Sequence, residues 1–266
     1  EPICFLFFQN KSTSLLAACG GGAAEDSSAT GSEVSEIKET LVMGLDDTFA
    51  PMGFKDESGE IVGFDVELAK EVAERLDVEI TFQPIDWAMK ETELASGNID
   101  MIWNGYTITE ERKEKVLFSE PYLSNSQIIV TMADSDIETK ADLAGKVVAT
   151  QQGSAAFDAI IADETGIAAE FDGGTPILYP TFNDVFNDLE SGRSDAIVVD
   201  EVLGRYTMKL KGEEKFAVLT DNFGDEEYGV GLRQEDVALK EAIDATMNDM
   251  HEDGTYDEIY AKWFAE

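Results

Sequence analysis

Asn98-Ile99-Asp100-Met101-Ile102-Trp103-Asn104-Gly105-Tyr106-Thr107-Ile108-Thr109-Glu110-Glu111-Arg112 is the stretch on which the reading of the fold turns. Its first half is a short apolar run, Ile99, Met101, Ile102 and Trp103, of the kind that forms a buried strand. Asn104-Gly105 then breaks the run, because both residues tolerate the positive φ angles of a tight turn. Thr109 stands where a helix N-cap would stand, with Glu110 and Glu111 in the first turn behind it. The segment therefore delivers a strand end, a loop with free amides and the hydroxyls of Thr107 and Thr109, and then one arginine, Arg112. A planar guanidinium beside oriented amides suits bidentate capture of a carboxylate. The competing reading is a surface arginine paired with Glu110 or Glu111.

Working outward, the upstream chain alternates strands and helices. Leu41–Leu45 reads as a strand, followed by the loop Asp46-Asp47-Thr48-Phe49-Ala50-Pro51. Gly63-Phe64-Asp65 opens a helix with Asp65 expected at the N-cap, and Ala69, Val72, Ala73 and Leu76 recur at helical spacing. Val78, Ile80 and Phe82 alternate as a strand, and Trp87–Leu94 reads as a helix. Downstream, the helix after Thr109 is expected to run to Phe118-Ser119-Glu120-Pro121-Tyr122. Strands follow at Gln127–Thr131, Val147–Thr150, Ile177–Tyr179, Ala196–Val199, Ala217–Leu219 and Tyr228–Leu232. Helices are expected at Ala141–Ala144, from about Ala155, at Asn183–Leu189, at 235–251 and at 256–264. This β-α-β order argues for α/β architecture with largely parallel sheets, in two α/β lobes.

The composition narrows the partners. Among 266 residues, 56 are acidic and 19 basic, a formal net charge of −37. Nothing resembles a basic patch, so nucleic acid and anionic membrane surfaces are not expected partners. No run approaches the length of a membrane-spanning helix. The two cysteines, Cys4 and Cys19, both lie near the N-terminus. Leu16-Ala17-Ala18-Cys19-Gly20 resembles a bacterial lipobox, in which the cysteine becomes the lipidated first residue. Residues 20–38 are Gly, Ala, Ser and acid, which read as a tether spanning roughly 25 Å as a random coil.

In open α/β sheets ligands bind beyond the carboxyl ends of the strands. Four such ends carry chemistry: Asp46 and Phe49; Trp103, Asn104 and Thr107 with Arg112 one turn on; Gln151, Gly153 and Ser154 ahead of a helix N-terminus that favours an anion; and Asp200. Together they supply a fixed cation, a fixed anion, neutral donors and aromatics, the set needed to hold a zwitterion. A free amino acid would offer its carboxylate to Arg112 and its ammonium to Asp200, with its side chain against Phe49, Trp87 and Trp103. Each aromatic can equally be read as core. With a single histidine, His251, on an acidic helix, no Ser/His/Asp set exists, and no loop has EF-hand spacing. No catalytic residue, metal or cofactor is expected.

As a whole, residues from Leu41 onward resemble the extracellular solute-binding proteins of polar amino-acid ABC importers, family 3, with the type II periplasmic-binding-protein fold. The resemblance rests on Gly63-Phe64-Asp65-Val66-Glu67-Leu68-Ala69, Ile108-Thr109-Glu110-Glu111-Arg112, Phe118-Ser119-Glu120-Pro121-Tyr122, Asp195-Ala196 with Asp200, and Asp253-Gly254-Thr255-Tyr256. It implies two lobes joined by a two-segment hinge near Leu123–Ser126 and Asp221–Asp225. The organisation it implies is a leader (1–19), a tether (20–38), one lobe from 39–124 with 226–266, and a second from 125–225. It further implies that Gly105, Thr107 and the Ser154 region help Arg112 hold the ligand carboxylate, that Asp200 receives the ammonium, and that Phe49 packs on the side chain. Asn104 and Ala155 depart from the commoner family pattern, which shifts the carboxylate cradle towards backbone amides. The partners implied are a free amino acid and ABC permease subunits, for a monomer at the outer face of the cytoplasmic membrane or in the periplasm.

Asp46, the aromatics and the acidity lean towards a cationic, arginine-like side chain, whereas Gln151, Gln152, Asn104 and Tyr106 allow glutamine or cystine. Two rival functions share the fold: a dehydratase of cyclic acids, and a ligand-sensing module. The sensor reading would need a membrane span or signalling domain after the second lobe.

Overall fold

The computed structural model describes residues 37–264. The leader, Cys19 and nearly all of the expected tether lie outside the described residues. A first sheet begins with β1 (Thr40–Leu45), whose Leu41, Met43 and Leu45 enter the core. Three short antiparallel strands follow, β2 (Thr48–Phe49), β3 (Gly53–Lys55) and β4 (Ile61–Val62), inside what the sequence reads as plain loop. Next come α1 (Phe64–Arg75), β5 (Glu79–Pro84), α2 (Lys90–Ala95) after a single 3₁₀ turn at Trp87–Met89, and β6 (Met101–Ile102). β5 and β6 flank β1 in parallel, so Met43 lies opposite both Phe82 and Met101.

α1 begins two residues earlier than expected. Gly63 is its N-cap, at φ 140°, and a Cβ there would fall 2.2 Å from the carbonyl oxygen of Met52. Asp65 is therefore not the cap but lies inside the first turn, fully buried. α3 (Glu110–Lys113) is also shorter than expected. The chain instead forms β7 (Leu117–Phe118), because Leu117 and Phe118 find partners in Leu232 and Gly231. Sheet pairing outweighs local helix preference there.

β8 (Leu123–Met132) follows directly and enters a second sheet. That sheet contains β9 (Val148–Gln151), β10 (Ile177–Tyr179) and β11 (Ala196–Asp200) in parallel, with β8 and β12 (Phe216–Tyr228) antiparallel at one side. It is packed by α4 (Ala155–Ala162), α5 (Phe182–Glu190) and α6 (Glu201–Lys211). α5 has a strong apolar face, burying Phe182, Val185, Phe186 and Leu189. Removing each such side chain from water contributes about 2 kcal/mol. β13 (Gly231–Leu232) returns the chain to the first sheet, and α7 (Val237–Asp253) and α8 (Thr255–Phe264) close it.

The protein is thus mixed α/β, with two five-stranded sheets, a small three-stranded one, and two chain segments running between the larger two. β12 runs on to Tyr228, well past the Ala217–Leu219 expected from sequence, and the expected strand Tyr228–Leu232 is reduced to β13. The ladder of β12 to β8 carries on through Asn222, Asp225, Glu226 and Glu227, with register irregularities between Val218 and Asn222 and between Asn222 and Asp225. Such bulges bend a strand while keeping it paired, and they fall on the segment where the sequence places the hinge.

Candidate functional site

The loop from Trp103 to Thr109 is fixed from both sides. Asp65 Oδ2 accepts the Gly105 amide at 2.7 Å and the Tyr122 hydroxyl at 2.9 Å. Burial pushes the Asp65 carboxyl up to about 7 against the pull of these two donors. Gly105 has φ 57°, and a Cβ there would meet the Phe49 ring at 2.7 Å and the Tyr228 ring at 3.2 Å. Only glycine lets these rings approach the loop. Asn104 Oδ1 accepts the Asp46 amide, tying the end of β1 to the same turn.

Thr109 caps α3 as expected, accepting the Arg112 amide at 3.1 Å. Arg112 itself is buried, 4% exposed, which removes the surface-pair reading. Glu110 and Glu111 pair instead with Lys113 and Lys115. The guanidinium lies over the Tyr106 ring at 4.8 Å, donates to Thr107 O at 3.0 Å and Gly153 O at 3.4 Å, and stands 3.6 Å from Asp158. Tyr106 is held in turn by stacking on Phe118 and by donating its hydroxyl to Glu91.

From the second sheet, β9 ends at Gln151, and Ser154 N-caps α4 by accepting the Phe157 amide while donating to Gln151 O. Gln151 Nε2 donates to Asp46 Oδ2 at 2.7 Å, so these two residues from different sheets meet. Burial raises the Asp46 carboxyl, opposed by the donors Thr48 and Gln151. Phe49 is buried 5.9 Å from Phe182, again across the two sheets.

Asp200 ends β11. Its Oδ1 accepts from Tyr228 Oη at 2.7 Å, Asn125 Nδ2 at 2.9 Å and Gln127 Nε2 at 3.0 Å. Burial, and next the neighbouring Glu226 charge, push its carboxyl up to about 8. Thr107 joins the two charges: its carbonyl accepts from Arg112, and its hydroxyl donates to Glu226, which shares both amide donors with Asp200. A hollow of about 390 Å³ adjoins this junction, lined among others by Thr107, Gln127, Ala155, Asp158 and Glu226.

The expected aromatics separate. Trp87 sits edge-on to Tyr106 in a small cluster with Leu94 and Ile99. Trp103 is fully enclosed in the main core, its ring against Tyr122 at 6.0 Å, and its indole N–H has no hydrogen-bond partner. Three residues escaped the sequence reading. Lys90 reads as a helix-surface lysine, yet it is buried and donates to Gly153 O at 2.8 Å and Trp87 O at 3.2 Å. Burial, then the Arg112 charge, bring its ammonium down to about 8. Glu226 and Asn125 lie in segments whose only sequence signal is the hinge itself. Among the described residues no group of three or more His, Cys, Asp and Glu is placed to hold a metal ion, and no helix is long and apolar enough to cross a membrane.

Comparison with known proteins follows this geometry. The profile of the bacterial extracellular solute-binding proteins, family 3, matches residues 41–266. The L-cystine-binding protein TcyJ of Escherichia coli (strain K12) is 33% identical over 235 residues, covering 87% of this chain and 85% of that protein. The crystal structure of an ABC uptake transporter substrate-binding protein from Streptococcus pneumoniae with bound histidine superposes with a TM-score of 0.83 at 38% identity, covering 86% of this chain and 93% of that one. An ancestral arginine-binding protein bound to glutamine gives 0.79 at 39% identity, covering 87% and 100%.

Proposed function

The chain belongs to the bacterial extracellular solute-binding proteins, family 3, and on that premise we propose that it captures a free polar amino acid for an ABC importer. Arg112 holds the carboxylate, assisted by Gly105, Thr107 and the amides at the start of α4. Asp200 receives the ammonium, and Asp46, Phe49 and Trp87 meet the side chain. The observation that carries this reading is the junction at Thr107, whose carbonyl accepts from the buried Arg112 guanidinium and whose hydroxyl donates to Glu226, which shares two amide donors with the buried Asp200 carboxyl. Relatives named for cystine, and solved structures holding histidine or glutamine, support an amino acid as the class. This is a binding role, with release to a membrane permease rather than turnover.

Among amino acids a cationic, arginine-like side chain is favoured. A ligand cation beside Asp46 would hold that carboxyl ionised against its burial. The second reading, glutamine or cystine, is favoured by the Gln151 amide at the same place. The moving parts are 39–124 with 226–266 and 125–225, turning about β8 and β12. The protein works as a monomer, held by lipid on Cys19 to the outer face of the cytoplasmic membrane or residing in the periplasm.

A thermal-shift panel of the twenty amino acids with ornithine and cystine tests the reading, since a ligand bound only by the folded state raises Tm with concentration. One or a few polar amino acids are expected to raise Tm, and Arg112→Ala to abolish every shift. Binding that survives Arg112→Ala would remove the carboxylate clamp.

A further inference from the structure

Asp200 does not stand alone at the end of β11. Asn125 Nδ2 lies 2.9 Å from Asp200 Oδ1 and 2.7 Å from Glu226 Oε1, and Gln127 Nε2 lies 3.0 and 2.8 Å from the same two oxygens. Two amide groups are thus each shared between two carboxyls, one from β11 and one from β12. Tyr228 completes the donors to Asp200 and Thr107 those to Glu226. All these donors converge on one oxygen of each carboxyl. Among the described residues neither Asp200 Oδ2 nor Glu226 Oε2 receives a hydrogen bond, and Glu226 lines the 390 Å³ hollow beside Thr107.

We propose that Glu226 is a second ligand-binding residue of the ammonium subsite, so that the amine is held by a pair of carboxyls which share one proton until the ammonium displaces it. The inference rests on the assignment of the ligand ammonium to Asp200. Two carboxylates this close cannot both stay ionised without a cation between or beside them. The surroundings add to the demand for positive charge: Glu201 on α6, Asp225 and Glu227 on β12 and Asp158 on α4 are acidic, against Lys113 on α3. Arg112 and Arg205 are further nearby cations, the first engaged by Thr107 O and Gly153 O and the second paired with Glu201. An arriving ammonium has three N–H donors, and the free oxygen of each carboxyl offers it an acceptor. The shared proton passes to solvent, leaving both carboxylates ionised around one ammonium. Burial and then the Glu226 charge push the Asp200 carboxyl upward, in the same direction. Affinity therefore climbs with pH until the pair is already ionised, and an α-hydroxy acid, which cannot neutralise the pair, is rejected.

The experiment is calorimetric titration of the full chain with the amino acid selected by the thermal panel, in two buffers of different ionisation enthalpy. At about pH 6.5, release of about one proton per ligand is expected for the wild type. Glu226→Gln, which keeps the size and the hydrogen-bonding edge, is expected to abolish the release and to weaken binding about tenfold. Glu226→Asp is expected to restore part of both. Amino-acid binding with no proton released by the wild type overturns the inference and leaves the Asp200 assignment standing. Undiminished release in Glu226→Gln overturns it equally. Loss of binding in Asp200→Asn with proton release intact in wild type supports both readings, whereas unchanged binding in Asp200→Asn sinks the parent reading and this one with it.

Discussion

At the scale of single residues, the site is a small number of ionisable groups taken out of water and made to depend on one another. The buried Arg112 guanidinium is surrounded by a π-face and two carbonyls. Its approach to a cleft-facing loop was legible in sequence, since Thr109 and the two glutamates marked the helix start. Asp200 was legible too, as a lone carboxylate after four buried apolar residues. Asp65 and Lys90 were not, because each looks like an ordinary residue of an amphipathic helix. Only the tertiary partner, the Gly105 amide in one case and Gly153 O in the other, reveals the role. Asp65 carries a pH prediction. Its folded carboxyl titrates near 7, above the value of a free aspartate. The folded protein thus holds the extra proton, and the stability this gives is full below the free value and gone once pH has risen past the folded one. Measured by thermal unfolding between about pH 5 and pH 8, Asp65→Asn is expected to lose less Tm with rising pH than the wild type; parallel profiles would show that Asp65 stays ionised throughout.

At the scale of elements, strand ends and helix starts do the positioning. β1, β9 and β11 were readable from three to five apolar residues followed by a polar one, and α4 from Ser154. The Ser154 hydroxyl accepts from Phe157 and donates back to Gln151 O, locking the turn whose Gly153 carbonyl accepts from Arg112. Ser154→Ala is expected to cost about 1 kcal/mol of stability and to weaken amino-acid binding more than it lowers Tm would suggest. Equal loss in a cap variant outside the site, Thr139→Ala ahead of the 3₁₀ turn Lys140–Leu143, would assign the effect to stability alone. β12 shows where sequence runs short. Asp221–Glu227 has the composition of a loop, and only the facing strand β8 makes it pair. β7 was missed for the same reason, since two residues carry too little pattern to announce a strand.

At the scale of the whole molecule, two sheets are joined by two strands, and the charges that would grip the ligand arrive from both sides. Asp46 meets Gln151, Lys90 and Arg112 meet Gly153 O, and Phe49 meets Phe182 across the cleft. These contacts are few and mostly polar, which suits parts that separate and rejoin about the irregular stretch of β12. Small-angle scattering is expected to show a smaller radius of gyration with the selected amino acid than without it; an unchanged curve would speak for a rigid cleft. The large negative charge predicts weak dependence of neutral amino-acid binding on salt, because the gripping pair is buried and little screened. A steep loss of affinity with added salt would mean that surface acid, not the pair, attracts the ligand.

The account depends on one arrangement, the Arg112 guanidinium and the Asp200 carboxyl, linked through Thr107 and Glu226, holding a molecule that bears both charges. A crystal structure of the protein with its selected amino acid measures this directly. The ligand carboxylate is expected on the Arg112 guanidinium and its ammonium on Asp200. An amino acid seated with either group away from those two side chains would contradict the account.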